Sequence, residues 1–86
     1  MKVNKDFVVS EILGNCVLIN VQKKFKSIMK LNKTAKEVYD LLLEDKTIDE
    51  IINFLNNKYN VDKTIIEKDV NEVINKMLIK GILIDE

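Results

Sequence analysis

Lys30-Leu31-Asn32-Lys33-Thr34-Ala35-Lys36-Glu37-Val38-Tyr39-Asp40-Leu41-Leu42 is the stretch in which the pattern of this 86-residue chain changes period. Up to Leu31 the apolar residues come in short runs rich in β-branched side chains, some of them alternating. From Ala35 onward they recur at three- and four-residue spacing, so Ala35, Val38, Tyr39, Leu41 and Leu42 fall on one broad helical face. Asn32 or Thr34 can cap that helix, and Thr34-x-x-Glu37 has the spacing of a capping box. Residues 7–31 therefore read as β and residues 32–80 as α, a segregated α+β arrangement.

Working back from the junction, Phe25-Lys26-Ser27-Ile28-Met29-Lys30-Leu31 reads as a strand. It places Phe25, Ser27, Met29 and Leu31 on one face and Lys26, Ile28 and Lys30 on the other. Gln22-Lys23-Lys24 is the turn before it, and Cys16-Val17-Leu18-Ile19-Asn20-Val21 the strand before that. Gly14-Asn15 then joins this strand to Phe7–Leu13, and glycine at the first central position suits a type II′ hairpin turn. The three strands form an antiparallel meander.

Working forward, Thr47-x-x-Glu50 is a second capping box. It opens a helix with Ile48, Ile51, Ile52, Leu55 and Tyr59 at helical spacing. Asn60-Val61-Asp62 breaks that helix, and Asp62 caps the third, whose stripe is Ile66, Val70, Val73, Ile74, Met77 and Leu78. Gly81 stands where a left-handed helix terminator is expected. The apolar Ile82-Leu83-Ile84 is expected to pack back onto the domain.

Composition narrows the chemistry. The chain is one domain, residues 1–86, with 47% hydrophobic and 33% charged residues, two glycines and no proline, so no linker or low-complexity segment is evident. No apolar run reaches the roughly 18 residues of a membrane span, and no signal peptide opens the chain, so a cytoplasmic protein is expected. The absence of histidine removes the usual acid–base residue and metal ligand near neutral pH. Cys16 is the single cysteine and reads as a small packed residue. Asp40, Glu44, Asp45, Asp49 and Glu50 lack the spacing of a calcium loop and read as a solvated face with caps. Nor is there a glycine-rich phosphate loop. No catalysis, metal or cofactor is expected.

The net charge of zero hides a segregation. Residues 1–36 carry eight lysines against Asp6 and Glu11, whereas residues 37–86 carry six lysines against twelve acids. The lysines crowd around the third strand. On an edge strand, lysines either guard against unwanted pairing or steer an acidic partner.

At the β-to-α junction the residues also carry a likeness. Leu31-Asn32-Lys33-Thr34-Ala35, with Val38-Tyr39-Asp40-Leu41-Leu42, resembles the opening signature of the PqqD-like family. Thr47-Ile48-Asp49-Glu50-Ile51, Tyr59 with Val61, Asp69-Val70, and Leu78 through Leu83 with its Gly81 follow in that family's order and spacing. The likeness runs from about Phe7 to Leu83. Tyr39 stands where the family often has tryptophan, and Gln22-Lys23-Lys24 lacks the glycine often found before the third strand.

The resemblance implies a winged-helix-like fold and a non-catalytic role. Members bind the leader segment of a ribosomally made precursor peptide and present it to a modifying enzyme, often a radical SAM protein. The leader adds as a strand beside the third strand and lies against the third helix. Carried onto this chain, the peptide-binding residues would be Lys24, Phe25, Lys26, Ser27, Ile28, Met29 and Lys30 on the strand. Ile66, Asp69, Val70 and Val73 would be their counterparts on the helix. Ile28 and the strand-facing side of the helix would form the pockets. The expected partners are that peptide and enzyme, with the domain a monomer or homodimer.

The competing reading is a winged-helix nucleic-acid binder, since six lysines between Lys23 and Lys36 suit phosphates. The candidate recognition helices argue against it. They carry Asp49 and Glu50, or Glu67, Asp69 and Glu72, and the chain has no arginine to read guanine.

Overall fold

Asn32 is the residue on which the chain turns from sheet to helix. Its extended backbone lets the side-chain Oδ1 accept the Ala35 N–H at 2.8 Å, satisfying one of the orphan donors of the first helical turn. Asn32, not Thr34, is thus the cap. Glu37 does not fold back to complete a box.

The computed structural model describes residues 1–85, and of residues 24–27 the backbone alone. The chain runs β1 (Lys2–Val3), β2 (Phe7–Ile12), β3 (Asn15–Asn20), β4 (Lys24–Lys30), α1 (Lys33–Leu43), α2 (Ile48–Tyr59), α3 (Lys63–Ile79) and β5 (Leu83–Ile84). Strands β2, β3 and β4 form the expected antiparallel meander in that order, so β4 is an edge. Three helices follow, in the α+β, winged-helix-like arrangement.

The hairpin differs from expectation. Ile12 pairs with Asn15, so the two central residues are Leu13 and Gly14, with φ of 51° and 80°. Positive φ at both positions marks a type I′ turn, whose twist matches the flanking strands. Glycine adopts this freely. Leu13 does so against its side chain's preference.

The signals of the second and third helices behave as read. Thr47 and Glu50 form a reciprocal capping box, with the Glu50 N–H donating to Thr47 Oγ1 at 3.1 Å and the Thr47 N–H to Glu50 Oε1 at 2.9 Å. Asn60 ends α2 in the left-handed region at φ 50°, and Asp62 Oδ1 accepts the Thr64 N–H at 3.0 Å to open α3. Gly81, at φ 78°, turns the chain after α3, and the Ile82 N–H donates to the Met77 carbonyl at 2.8 Å.

The tail packs back as expected and does more: Lys2 pairs with Ile84 and Val3 with Leu83, closing a second, two-stranded sheet. One core joins all layers. Leu18, Met29 and Leu31 enter it from the inner sheet face; Val38, Ile51, Leu55, Val70, Ile74 and Met77 come from the helices, and Ile82 and Leu83 from the tail. Each fully buried side chain of this kind stabilises by about 1.5–3 kcal/mol. Among the described residues no helix is long and apolar enough to cross a membrane.

Candidate functional site

The ladder geometry fixes what β4 exposes. The Leu31 N–H donates to the Cys16 carbonyl at 2.9 Å, so Cys16 and Leu31 form a hydrogen-bonded pair. In the same register Leu18 faces Met29, Val17 faces Lys30 and Ile19 faces Ile28. Because antiparallel pairs alternate, the N–H and C=O groups of Ile28 and Lys30 point away from β3, toward the open side of the sheet. This edge is where a further strand can hydrogen-bond.

Helix α3 lies along that side. Between them runs an open groove of about 300 Å³, lined by Met29 and Lys30 from β4, by Asn32, Thr34 and Ala35 at the start of α1, and by Asp69, Glu72, Val73 and Lys76 of α3. Positions 69, 72, 73 and 76 are one face of the helix. A recess of about 280 Å³ continues from the groove, sharing Thr34 and Asp69, and adds Leu55, Tyr59, Val61, Ile65 and Ile66. Its lining is the more apolar. Lysine ammonium groups flank the Tyr59 ring, Lys33 at 5.6 Å and Lys58 at 5.5 Å from its centroid.

The groove is electrically polar along its length. Asp69 and Glu72 stand toward the α3 N-terminal side, Lys76 further on. At the C-terminal cap of α3, Lys80 donates from Nζ to the Ile28 carbonyl at 3.2 Å. That carbonyl is one of the edge acceptors.

Set against the sequence reading, Met29, Lys30, Asp69 and Val73 are brought together in the groove. Ile66 borders the adjoining recess, though its side chain is mostly core. Val70 is not in either: it is fully buried, one position off the groove-facing stripe. Ile28 takes part through its backbone, while its half-buried side chain lies on the outer sheet face with Ile19 and forms no pocket with α3. The side chains of Lys24, Phe25, Lys26 and Ser27 lie outside the described residues. The sequence reading passed over Thr34, Glu72, Lys76, Tyr59, Ile65 and Lys80. Four-residue steps from Asp69 along α3 reach Val73 and then Met77, which is core; Glu72 and Lys76 come only from mixing three- and four-residue steps.

Among the described residues no three His, Cys, Asp or Glu side chains converge as a metal site. The clearest electrostatic tie is structural. Glu37 of α1 accepts hydrogen bonds from the Tyr59 hydroxyl and, at 3.1 Å, from Lys58 Nζ. The hydrogen bond from Tyr59, then the hydrogen bond from Lys58 and the charges of Lys58 and Lys33, hold the Glu37 carboxyl below its ordinary pKa despite partial burial.

The fold is shared with two solved structures. One is described as TbiB1 in complex with the TbiA(beta) leader peptide, with 24% identity and a TM-score of 0.83 over 100% of this chain and 98% of that one. The other is a lasso peptide synthetase B1 complexed with the leader peptide, with 20% identity and a TM-score of 0.82 over 98% of this chain and 96% of that one. No curated protein matches the chain by sequence. The sequence profile of the family described as coenzyme PQQ synthesis protein D (PqqD) matches residues 15–83, taking in the meander from β3 onward, all three helices and the first residue of β5. With the groove and the fold, that match identifies the chain as a member of the PqqD family.

Proposed function

We propose that this domain is a non-catalytic recognition element. It binds the leader segment of a ribosomally made precursor peptide as an added strand on the open edge of β4. It then presents the rest of the peptide to a modifying enzyme, such as a radical SAM protein. The observation that carries the proposal is the pairing of an open strand edge with a helix-walled groove. Ile28 and Lys30 direct backbone donors and acceptors outward, and Met29, Asp69 and Val73 lie beside them. Strand addition draws affinity from the backbone and specificity from neighbouring side-chain pockets. The two structural neighbours, both solved with leader peptides, support the reading.

The test is a titration of the labelled domain with overlapping ten-residue peptides covering short precursor-like reading frames beside its gene. Amide shifts confined to β4, the start of α1 and α3, with about micromolar affinity, are expected. Shifts restricted to the β2–β3 hairpin, or steeply salt-dependent binding of DNA fragments in place of peptide, would overturn it.

A further inference from the structure

Strand β2 is the sheet's other edge. The Val21 N–H donates to the Asp6 carbonyl at 2.8 Å, in the register that continues as Phe7 with Asn20 and Val8 with Ile19. Antiparallel pairs alternate, so Val8, Ser10 and Ile12 bond to β3, while Phe7, Val9 and Glu11 direct their backbone groups outward. The Phe7 N–H turns to the Asn4 carbonyl at 3.2 Å. That leaves the Phe7 carbonyl, and both groups of Val9 and of Glu11, without a backbone partner among the described residues.

The two edges are guarded differently. β4 carries Lys24, Lys26 and Lys30, and its pairing breaks beyond Ile28. β2 keeps six pairs in unbroken register, has no lysine or proline, and leaves Val8, Val9 and Ile12 exposed. An apolar edge without such guards is a template for another strand. Two β4 edges side by side would oppose lysine to lysine. Two β2 edges would not.

The end of β2 also complements its own beginning. At the hairpin tip Leu13 is held, almost fully exposed, in a left-handed conformation that leucine disfavours. At the other end a groove of about 390 Å³ opens beside Phe7, lined by Met1, Val3, Tyr39, Leu42 and Leu43, with Lys5 and Asp45 among its polar residues. Lys5 and Leu13 stand four positions to either side of Val9. An antiparallel copy related by a twofold axis at Val9 therefore brings each Leu13 toward the other's groove and each Glu11 toward the other's Lys5. The same contact is made twice, as a closed dimer requires.

We propose that two copies of this chain pair through β2, antiparallel about Val9, joining their meanders into one six-stranded sheet. Val9 exchanges both backbone bonds with Val9 of the other copy, and each Glu11 N–H donates to the other's Phe7 carbonyl. The β4 edges stay open at the two ends of the sheet, so the pairing does not depend on the peptide reading.

Sedimentation equilibrium from about 20 µM to about 1 mM should show a monomer–dimer equilibrium with Kd on the order of 0.1 mM, as befits a small interface. Val9→Lys and Val9→Glu each set like charges against one another at the axis and should weaken pairing tenfold or more. An equimolar mixture of the two should recover it, because lysine then faces glutamate. Leu13→Asn should weaken pairing about threefold to fivefold. Melts at about 5 µM, where the chain is monomeric, confirm that each variant folds. Amide shifts with rising concentration should fall on residues 7–13 and the groove, and spare β4. A wild type that stays monomeric at the highest concentration, variants that dimerise unchanged, or a mixture that recovers nothing would each overturn the proposal. So would shifts on β2 that come only when the modifying enzyme encoded beside the gene is added, which would make this edge an enzyme contact.

Discussion

Tyr59, at the last turn of α2, hydrogen-bonds through its hydroxyl to the Glu37 carboxylate of α1, and that bond holds its ring as a wall of the recess beside the groove. Lys58 joins the same carboxylate. The contact links two helices and one edge of the proposed site.

Glu37→Gln and Tyr59→Phe should each lower stability by about 1 kcal/mol, and the double variant by clearly less than the sum. Chemical denaturation of the four proteins measures this. The pH dependence has a definite sign. Because the folded carboxyl titrates below its ordinary value, its contribution is present above the usual glutamate range and is lost as pH falls through the lower, folded value. Glu37→Gln should therefore narrow its deficit against the wild type in acid.

Val70 and Val73 are three residues apart on α3 and should separate folding from binding. Val70→Ala opens a cavity in the core and should cost about 1–3 kcal/mol, leaving peptide affinity per folded molecule unchanged. Val73→Asp, at the groove, should weaken peptide binding tenfold or more with a smaller change in melting temperature. Equal effects of both on affinity would argue against the groove as the binding surface.

Ile28→Pro removes an N–H that points outward and donates no ladder bond to β3. A folded variant with affinity reduced about fivefold to tenfold is expected. Unchanged affinity in the folded variant would place the guest somewhere other than this edge.

Leu13 is 97% exposed and sits at φ 51°. Leu13→Asn should raise stability by about 0.5–1 kcal/mol, a few degrees in melting temperature, because asparagine favours this turn conformation. Thr47→Ala should lower stability by about 1 kcal/mol through loss of the α2 cap. Neither should alter peptide binding, which makes them controls for stability effects.

What could be read from the residues alone was local or periodic. The shift in spacing at Leu31 and Asn32, the Thr47–Glu50 box, the Asp62 cap and the Gly81 terminator each act within a few positions, and each formed. The errors came from choices between neighbours and from distance. Glu37 has the spacing of a box partner, but a cap at Asn32 leaves it beyond the first turn and open to Tyr59, 22 positions on. The hairpin slipped by one residue because Leu13 is an unlikely occupant of a left-handed position, and pairing register outweighed its preference. Val70 and Val73 share one apolar stripe in the sequence, and only packing decides which of them meets the groove. Nothing near Lys80 in the chain announces Ile28.

The break in register between β3 and β4 limits how much the edge can do. Beyond Ile28 the pairing shifts, Asn20 meeting Lys24, so the even ladder covers Ile28 to Leu31. Within it the outward groups are the N–H and C=O of Ile28 and of Lys30, four in all. At a net of about 1 kcal/mol for each hydrogen bond they supply roughly 4 kcal/mol, which corresponds to a millimolar complex. A micromolar guest must find about as much again in Val73, Met29, the Tyr59 recess and the charges. Strand addition to so short a rail, as proposed, would thus be a reading of side chains: a partner that offered only a strand would dock and leave.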